Sequence, residues 1–116
     1  MLVVAALRQE MWLYTSANLK DWARASTFGP AGSAANNIWE VPDLVELPVR
    51  AADGSISGTR WVLFISVNHG TPWGGSGVQY FIGDFDGRAF IAEATGTLPA
   101  LTAPAGDLIA DFEGGQ

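Results

Sequence analysis

Short runs of apolar, β-branched and aromatic residues alternate along the chain with polar turn signals spaced roughly ten residues apart, a pattern typical of an all-β domain. No segment carries a convincing helical period. The runs predict seven strands and a short eighth strand near residues 108–112. The seven are Leu2–Leu7, Met11–Ser16, Ala23–Phe28, Asp43–Pro48, Trp61–Val67, Val78–Asp84 and Ala89–Glu93.

Two features indicate that sheets stack on one another. The run Trp61–Ile65 is continuously apolar, so both of its faces are expected to be covered. A weak internal repeat, in which an aromatic residue follows a strand and a polar turn, occurs at Tyr14–Trp22 and again at Tyr80–Phe90. Repeated units of this kind suggest β-propeller blades, of which a closed ring needs about four to eight. The chain therefore predicts either a piece of a propeller or a small sandwich that imitates one.

Composition narrows the classes of function. The chain has 116 residues, 48% hydrophobic residues and a net charge of −6, which suits a globular domain and disfavours binding to nucleic acid or an anionic membrane. With no cysteine and one histidine, neither a disulfide nor a usual zinc site is expected, and no cofactor is implied. The opening apolar run is too short for a signal-peptide core. Localisation stays open, and a secreted or periplasmic parent protein is compatible with the sequence.

The segment Trp39-Glu40-Val41-Pro42-Asp43 is the strongest candidate for chemistry. Pro42 disfavours the helical region for Val41, so the segment is expected to enter the next strand in extended form. Trp39 could pack on a sugar face, and apolar neighbours would keep Glu40 protonated near neutral pH, as a general acid requires. A glutamate before a strand is more often simply solvated, so the assignment depends on the rest of the chain.

The order of the strands adds one inference about neighbours. In an antiparallel pair, the end of Trp61–Val67 lies beside the start of Asp43–Pro48, so Glu40 should adjoin the loop that follows residue 67. In that loop Asn68 could bond sugar hydroxyls and Trp73 could stack on a sugar ring. An equally weighted alternative is a flexible connection whose glycines serve only the backbone.

Four pieces of sequence carry a family resemblance through their order and spacing. They are Tyr14–Trp22, Phe28–Gly32, Trp39–Leu44, and Trp61–Asn68 followed by Gly74–Gly87. The stretch Trp12–Phe90 thereby resembles the middle of the catalytic five-bladed β-propeller of glycoside hydrolase family 32, the levanases, inulinases and invertases. The resemblance implies a fragment of that propeller: one complete four-stranded blade at residues 39–93, the end of a preceding blade at 1–30, and the start of a following blade at 94–116.

The resemblance also implies roles for residues. The family motif is usually Trp-Glu-Cys-Pro-Asp, and its glutamate, Glu40 here, is the general acid/base of a retaining reaction on fructosyl bonds; Val41 stands at the cysteine position. The family's nucleophile lies in an Asn-Asp-Pro motif that this sequence lacks, so the nucleophile is expected outside the chain. Asp43 is the nearest second carboxylate. Three positions along an extended strand reverse the side-chain direction, so Asp43 is expected to support the backbone or the substrate instead of attacking it.

The sequence thus predicts a fragment of a retaining glycoside hydrolase whose partner is a fructose-containing oligo- or polysaccharide: levan, inulin or sucrose. The isolated chain is expected to be inactive and prone to self-association. Two alternatives stay open at this point. One is a non-catalytic carbohydrate-binding or assembly module, and the other is a propeller glycosidase similar to family 43.

Overall fold

The computed structural model describes residues 2–32, 37–71, 74–93 and 108–110, and every regular element within these ranges is a β-strand. The all-β prediction is therefore confirmed. The strands are β1 (Leu2–Leu7), β2 (Glu10–Thr15), β3 (Ala23–Phe28), β4 (Trp39–Arg50), β5 (Ile56–Val67), β6 (Gly77–Phe85), β7 (Phe90–Ala92) and β8 (Leu108–Ala110).

The strands form two antiparallel sheets. The first sheet has the order β1-β2-β3, and the second has the order β4-β5-β6-β7 with β8 paired to β6. From β1 to β3 and from β4 to β7, strands that follow one another in sequence are neighbours, so these two paths are simple meanders. The run from β4 to β7 gives the four consecutive strands expected of one blade.

The long hairpin of β4 and β5 departs most from the predicted strand bounds. Its pairing extends from Trp39 opposite Val67 to Arg50 opposite Ile56, well beyond the predicted runs at 43–48 and 61–67. The added residues next to the turn are exposed. They are held by the backbone ladder and not by burial, and their two apolar residues, Val49 and Ile56, stand apart from the apolar runs that predict strands.

The hydrophobic core lies between the two sheets. Phe28 of β3 joins them, because its ring centre lies 5.1 Å from that of Phe81 and 5.2 Å from that of Phe90 in the second sheet. The fully or nearly buried apolar side chains of this core are Met11, Leu13, Trp39, Leu63, Ile65, Val67, Phe81 and Phe90. The expected stacking of sheet on sheet is thus present within the chain.

The second sheet has one covered face and one open face. On β5, Leu63 and Ile65 point into the core, whereas Phe64 lies on the opposite side and is only partly buried. We call that side the open face. Its apolar residues are Val45, Leu47, Val62, Phe64, Tyr80 and Ile82; Val62 at its centre is 8% exposed, whereas Leu47 and Ile82 are 41% and 37% exposed. The prediction that Trp61–Ile65 is covered on both sides therefore holds on one side only within this chain.

We expect the isolated chain to self-associate through the open face, since contiguous exposed apolar surface normally marks an association site. Light scattering coupled to size-exclusion chromatography should give a mass above that of the monomer. Ile82→Glu places a charge in the open face and should lower that mass. Leu19→Glu, which alters an exposed leucine in the loop between β2 and β3, should not. A monomer at every concentration would contradict this expectation.

The short strand β8 pairs with the second sheet. Residues 94–116 were expected to begin a further blade, but Leu108 and Ala110 pair with Gln79 and Val78 of β6. The described part of this segment therefore belongs to the second sheet itself. The rest of the predicted segment, residues 94–107 and 111–116, lies outside the described residues.

Two hairpin turns at the end of the sheet away from Glu40 contain carboxylates with a lowered pKa. The backbone N–H groups of Ala89 and Arg88 donate to Asp86 at 2.8 Å and hold its pKa below the ordinary value of 3.8. Asp53 accepts bonds from the hydroxyl and the N–H of Ser55, which lower its pKa in the same way. Because these bonds favour the ionised form, both carboxylates stabilise the folded turns above the ordinary pKa.

This stabilisation should be lost as the pH falls from the ordinary carboxyl pKa of 3.8 through the lowered pKa values of Asp53 and Asp86. Urea unfolding of the double variant Asp53→Asn/Asp86→Asn should therefore show a smaller loss of stability between about pH 5 and pH 3 than the parent chain. An equal loss in both proteins would mean that the two turns do not contribute to acid sensitivity.

Candidate functional site

Glu40 is an exposed residue near the start of β4, which is an edge strand of the second sheet. It lies opposite Ser66 on β5, and Trp39 before it lies opposite Val67. The predicted proximity of Glu40 to the loop after residue 67 is therefore confirmed. Glu40 stands where the entry to β4, the end of β5 and the turn between β1 and β2 come together.

The backbone before Glu40 is held from two sides. The N–H of Trp39 donates to the carbonyl of Arg8 in the turn between β1 and β2, at 2.6 Å. On the other side, the N–H of Ile38 donates to the side-chain oxygen of Asn68 at 2.9 Å, and the Asn68 N–H donates back to the Ile38 carbonyl at 3.4 Å. Asn68, predicted to bond sugar hydroxyls, thus commits its side-chain oxygen to the protein backbone.

Trp39 is a core residue. Its side chain is 1% exposed, and its ring centre lies 6.1 Å from that of Phe28 and 6.0 Å from that of Phe81. The expectation that Trp39 packs on a sugar face is therefore wrong, because the indole fills the space between the two sheets. A tryptophan beside a candidate acid suits either role, so the sequence alone could not distinguish them.

A β-bulge follows Glu40. Glu40 pairs with Ser66 and Asp43 pairs with Phe64, so three steps along β4 match two steps along β5. Within the bulge Val41 has φ 45°, in the left-handed region. The expectation of an extended Val41 is therefore wrong. Left-handed backbone is costly for a β-branched residue and also for a residue that precedes proline.

The bulge places Glu40 and Asp43 on the same face of the sheet. Residues opposite each other in an antiparallel pair project to the same side, and Ser66 and Phe64 are two positions apart on one strand. The predicted reversal of Asp43 relative to Glu40 is wrong, because it assumed unbroken alternation. Both carboxyl side chains are exposed on the open face, with their backbones separated by about 7 Å along the strand.

A cleft of about 660 Å³ opens at the same end of the molecule. The half-buried amide of Gln9 and the buried amide of Asn37 form part of its wall. Gln9 Nε2 donates to Asn37 Oδ1 at 3.0 Å, and Asn37 Nδ2 donates to the carbonyl of His69 at 3.1 Å. The lining residues are Arg8, Gln9, Glu10, Pro30, Asn37, Ile38 and His69, so the cleft adjoins Glu40 without including it. Sequence analysis missed the two amides because their contact joins residues 28 positions apart.

Trp73, the remaining predicted site residue, lies outside the described residues. Among the described ranges, no group of three or more histidine or carboxylate side chains could hold a metal ion. In the same part of the chain, no helix has the length and apolar character needed to cross a membrane.

The match to a family supplies the class of protein. Residues 1–103 match the family described as glycosyl hydrolases family 32 N-terminal domain, so the chain belongs to glycoside hydrolase family 32. The predicted family and the predicted fold, a fragment of its β-propeller, are both confirmed. The match favours family 32 over the family 43 alternative.

Named relatives agree with this assignment. The chain is 48% identical over 88 residues to a levanase of Bacillus subtilis (strain 168), covering 76% of this chain and 13% of the levanase. It is 47% identical over 89 residues to an extracellular exo-inulinase of Aspergillus niger, covering 75% of this chain and 16% of that protein. The chain thus spans well under a fifth of these relatives.

Solved structures show the same similarity in three dimensions. The crystal structure of an exo-inulinase from Aspergillus awamori matches with a TM-score of 0.71 and 41% identity, over 84% of this chain and 19% of that one. A fructofuranosidase from Schwanniomyces occidentalis, complexed with fructose, matches with a TM-score of 0.66 and 36% identity, over 81% of this chain and 17% of that one.

Proposed function

We propose that the chain is part of a retaining β-fructosidase in which Glu40 is the general acid/base acting on fructosyl bonds. The observation that carries the proposal is the position of Glu40: an exposed carboxyl on backbone anchored from two sides, within the residues that match the family. A catalytic acid needs both access to substrate and a fixed position. The exposure of Glu40 and the anchored backbone before it support this role.

In the proposed reaction Glu40 first donates a proton to the oxygen of the leaving group, while a nucleophilic carboxylate attacks the anomeric carbon. In the second step Glu40 removes a proton from the water that hydrolyses the covalent intermediate. In this proposal an aspartate from a part of the protein beyond these 116 residues supplies the nucleophile. Asp43, on the same face as Glu40, would accept hydrogen bonds from sugar hydroxyls.

The substrate class follows from the relatives and from the walls of the site. Relatives are named for levan and inulin, and one related structure contains fructose. The exposed carboxyl groups of Glu40 and Asp43 give this end of the molecule acceptors for the hydroxyl groups of such a ligand, while the amides of Gln9, Asn37 and Asn68 hold the surrounding backbone and side chains in place. We propose levan, inulin or sucrose as substrate, with Asp43, Asn68 and Trp73 contributing to its binding.

The same proposal covers the organisation and location of the complete protein. Residues 1–30 would end one blade, and residues 39–93 would form the next one, packed against it through the contacts of Phe28 with Phe81 and Phe90. Because the exo-inulinase relatives are described as extracellular, we propose that the complete protein acts outside the cell.

The experiment replaces the matching segment of the Bacillus subtilis levanase with this chain; we call the product the levanase chimaera. It should release fructose from levan, whereas the isolated chain should release none from levan, inulin or sucrose. A folded chimaera that binds levan without cleaving it would favour the non-catalytic binding module. Fructose release by the isolated chain, abolished by Glu40→Gln, would show that the nucleophile lies within these residues.

A further inference from the structure

A regular strand cannot satisfy both ends of β4. From Asp43 onward, the ladder to β5 puts Asp43 on the open face and Leu44 against the core. If this alternation continued backward without a break, Glu40 would point into the core and Trp39 would lie on the open face. An unbulged strand would therefore bury a carboxyl group and expose a large aromatic ring.

The structure shows the opposite arrangement, in which Trp39 is buried and Glu40 is exposed. Its ring is buried between the sheets beside Phe28 and Phe81, and its backbone N–H donates to the Arg8 carbonyl. Removing the ring from this site would open a large cavity, and burying Glu40 in its place would desolvate a charge. Both costs favour the observed register before residue 41.

Val41 takes up the mismatch between the two registers. Its φ of 45° is unfavourable for valine and for any residue before proline. Its side chain is 78% exposed, so no packing of the valine itself explains the conformation. The strain is therefore imposed by the anchored segments on either side, as expected where surrounding structure overdetermines a residue.

We propose that Trp39 is a positioning residue: by burying its indole it forces the bulge at Val41 and so holds Glu40 on the open face. The inference deepens the proposed function, since the position of Glu40 matters most if Glu40 is the acid/base. Its test is independent of catalysis, because it measures where side chain 40 points.

The first measurement uses the absence of cysteine from this chain. Glu40→Cys introduces the sole thiol, which should react with a soluble thiol reagent at a rate close to that of an unstructured peptide. Adding Trp39→Ser removes the anchor, lets the alternation run back from Asp43, and should slow the reaction at least about tenfold as position 40 turns inward. Trp39→Phe keeps an aromatic anchor and should preserve the fast rate.

Phe90→Ser is the matched control, because Phe90 belongs to the same core but lies on β7, away from the bulge. It should lower stability without slowing the thiol. An unchanged rate in Trp39→Ser, or an equal slowing in Phe90→Ser, would overturn the proposal. A role for Trp39 in general stability alone would not slow the reaction of a neighbouring thiol.

A second measurement keeps the proposal testable if Trp39→Ser unfolds the chain. Val41→Gly and Val41→Ala both remove the exposed isopropyl group, but glycine adopts a positive φ without steric cost whereas alanine does not. Val41→Gly should raise the unfolding temperature by several degrees relative to Val41→Ala. Equal temperatures would show that the anchor imposes no strain and would overturn the proposal. If Glu40→Gln left turnover intact, the proposed function would fail while these orientation results stood.

Discussion

Glu40→Gln in the levanase chimaera should lower kcat by about 10²–10⁴-fold, the usual contribution of a positioned general acid or base. The amide keeps the size of the side chain but can neither protonate the leaving group nor accept a proton from water. Because the Glu40 carboxyl group stabilises the transition state more than it stabilises bound substrate, KM should change little. Steady-state kinetics on levan and sucrose would measure both constants.

The matched control is Glu46→Gln. Glu46 is an exposed glutamate on the same strand, where it accepts a hydrogen bond from the Thr59 hydroxyl. It lies further along β4 from the cleft, so its replacement should leave kcat within about twofold of the parent value. Equal activity of the Glu40→Gln and parent chimaeras would mean that Glu40 is a structural or solvated residue.

Leu63→Ala should cost about 2–5 kcal/mol of stability, the range for a buried leucine truncated to alanine. Leu63 is 0% exposed at the centre of β5, opposite Leu44 on one side and Phe81 on the other. Complete domains are stable by only about 5–15 kcal/mol. The free energy of unfolding of this chain, which has two sheets and an open face, should lie at or below the low end of that range. The Leu63→Ala variant should therefore lose its cooperative unfolding transition in urea.

Leu47→Ala provides the comparison, because it makes the same truncation on the open face. Leu47 is 41% exposed, so fewer of its contacts are lost and the cost should be well below that of Leu63→Ala. Equal losses in the two variants would show that the open face is as well covered as the core, and that the chain closes its own fold.

Hydrophobic pattern and turn signals were sufficient for most of the fold. The bounds of β1 and β3 agree with the predicted strands at both ends, and both strands pair with β2 along their length. The ends of β4 and β5 nearest their turn were missed because largely exposed residues, most of them polar or glycine, extend that hairpin. Short-range patterns report burial, and these residues are ordered by backbone pairing instead.

The site was predictable in topology but not in side-chain orientation. Antiparallel pairing fixes which strand ends meet, so the position of Glu40 beside Asn68 followed from strand order. The direction of Asp43 and the burial of Trp39 did not follow. Both depend on the bulge at Val41. Local backbone preferences disfavour this bulge, and it forms because the tertiary anchor overrides those preferences.

Azide rescue of Glu40→Ala in the levanase chimaera tests the central claim most directly. With Glu40 absent, the covalent fructosyl intermediate lacks a base to activate water, but azide is a nucleophile that needs no deprotonation. We predict that Glu40→Ala is nearly inactive on a substrate with a poor leaving group. On a substrate with a good leaving group, added azide should restore turnover and yield a fructosyl azide. Turnover in Glu40→Ala equal to the parent, or an inactive variant that azide leaves unchanged on that activated substrate, would contradict the assignment of Glu40 as the acid/base.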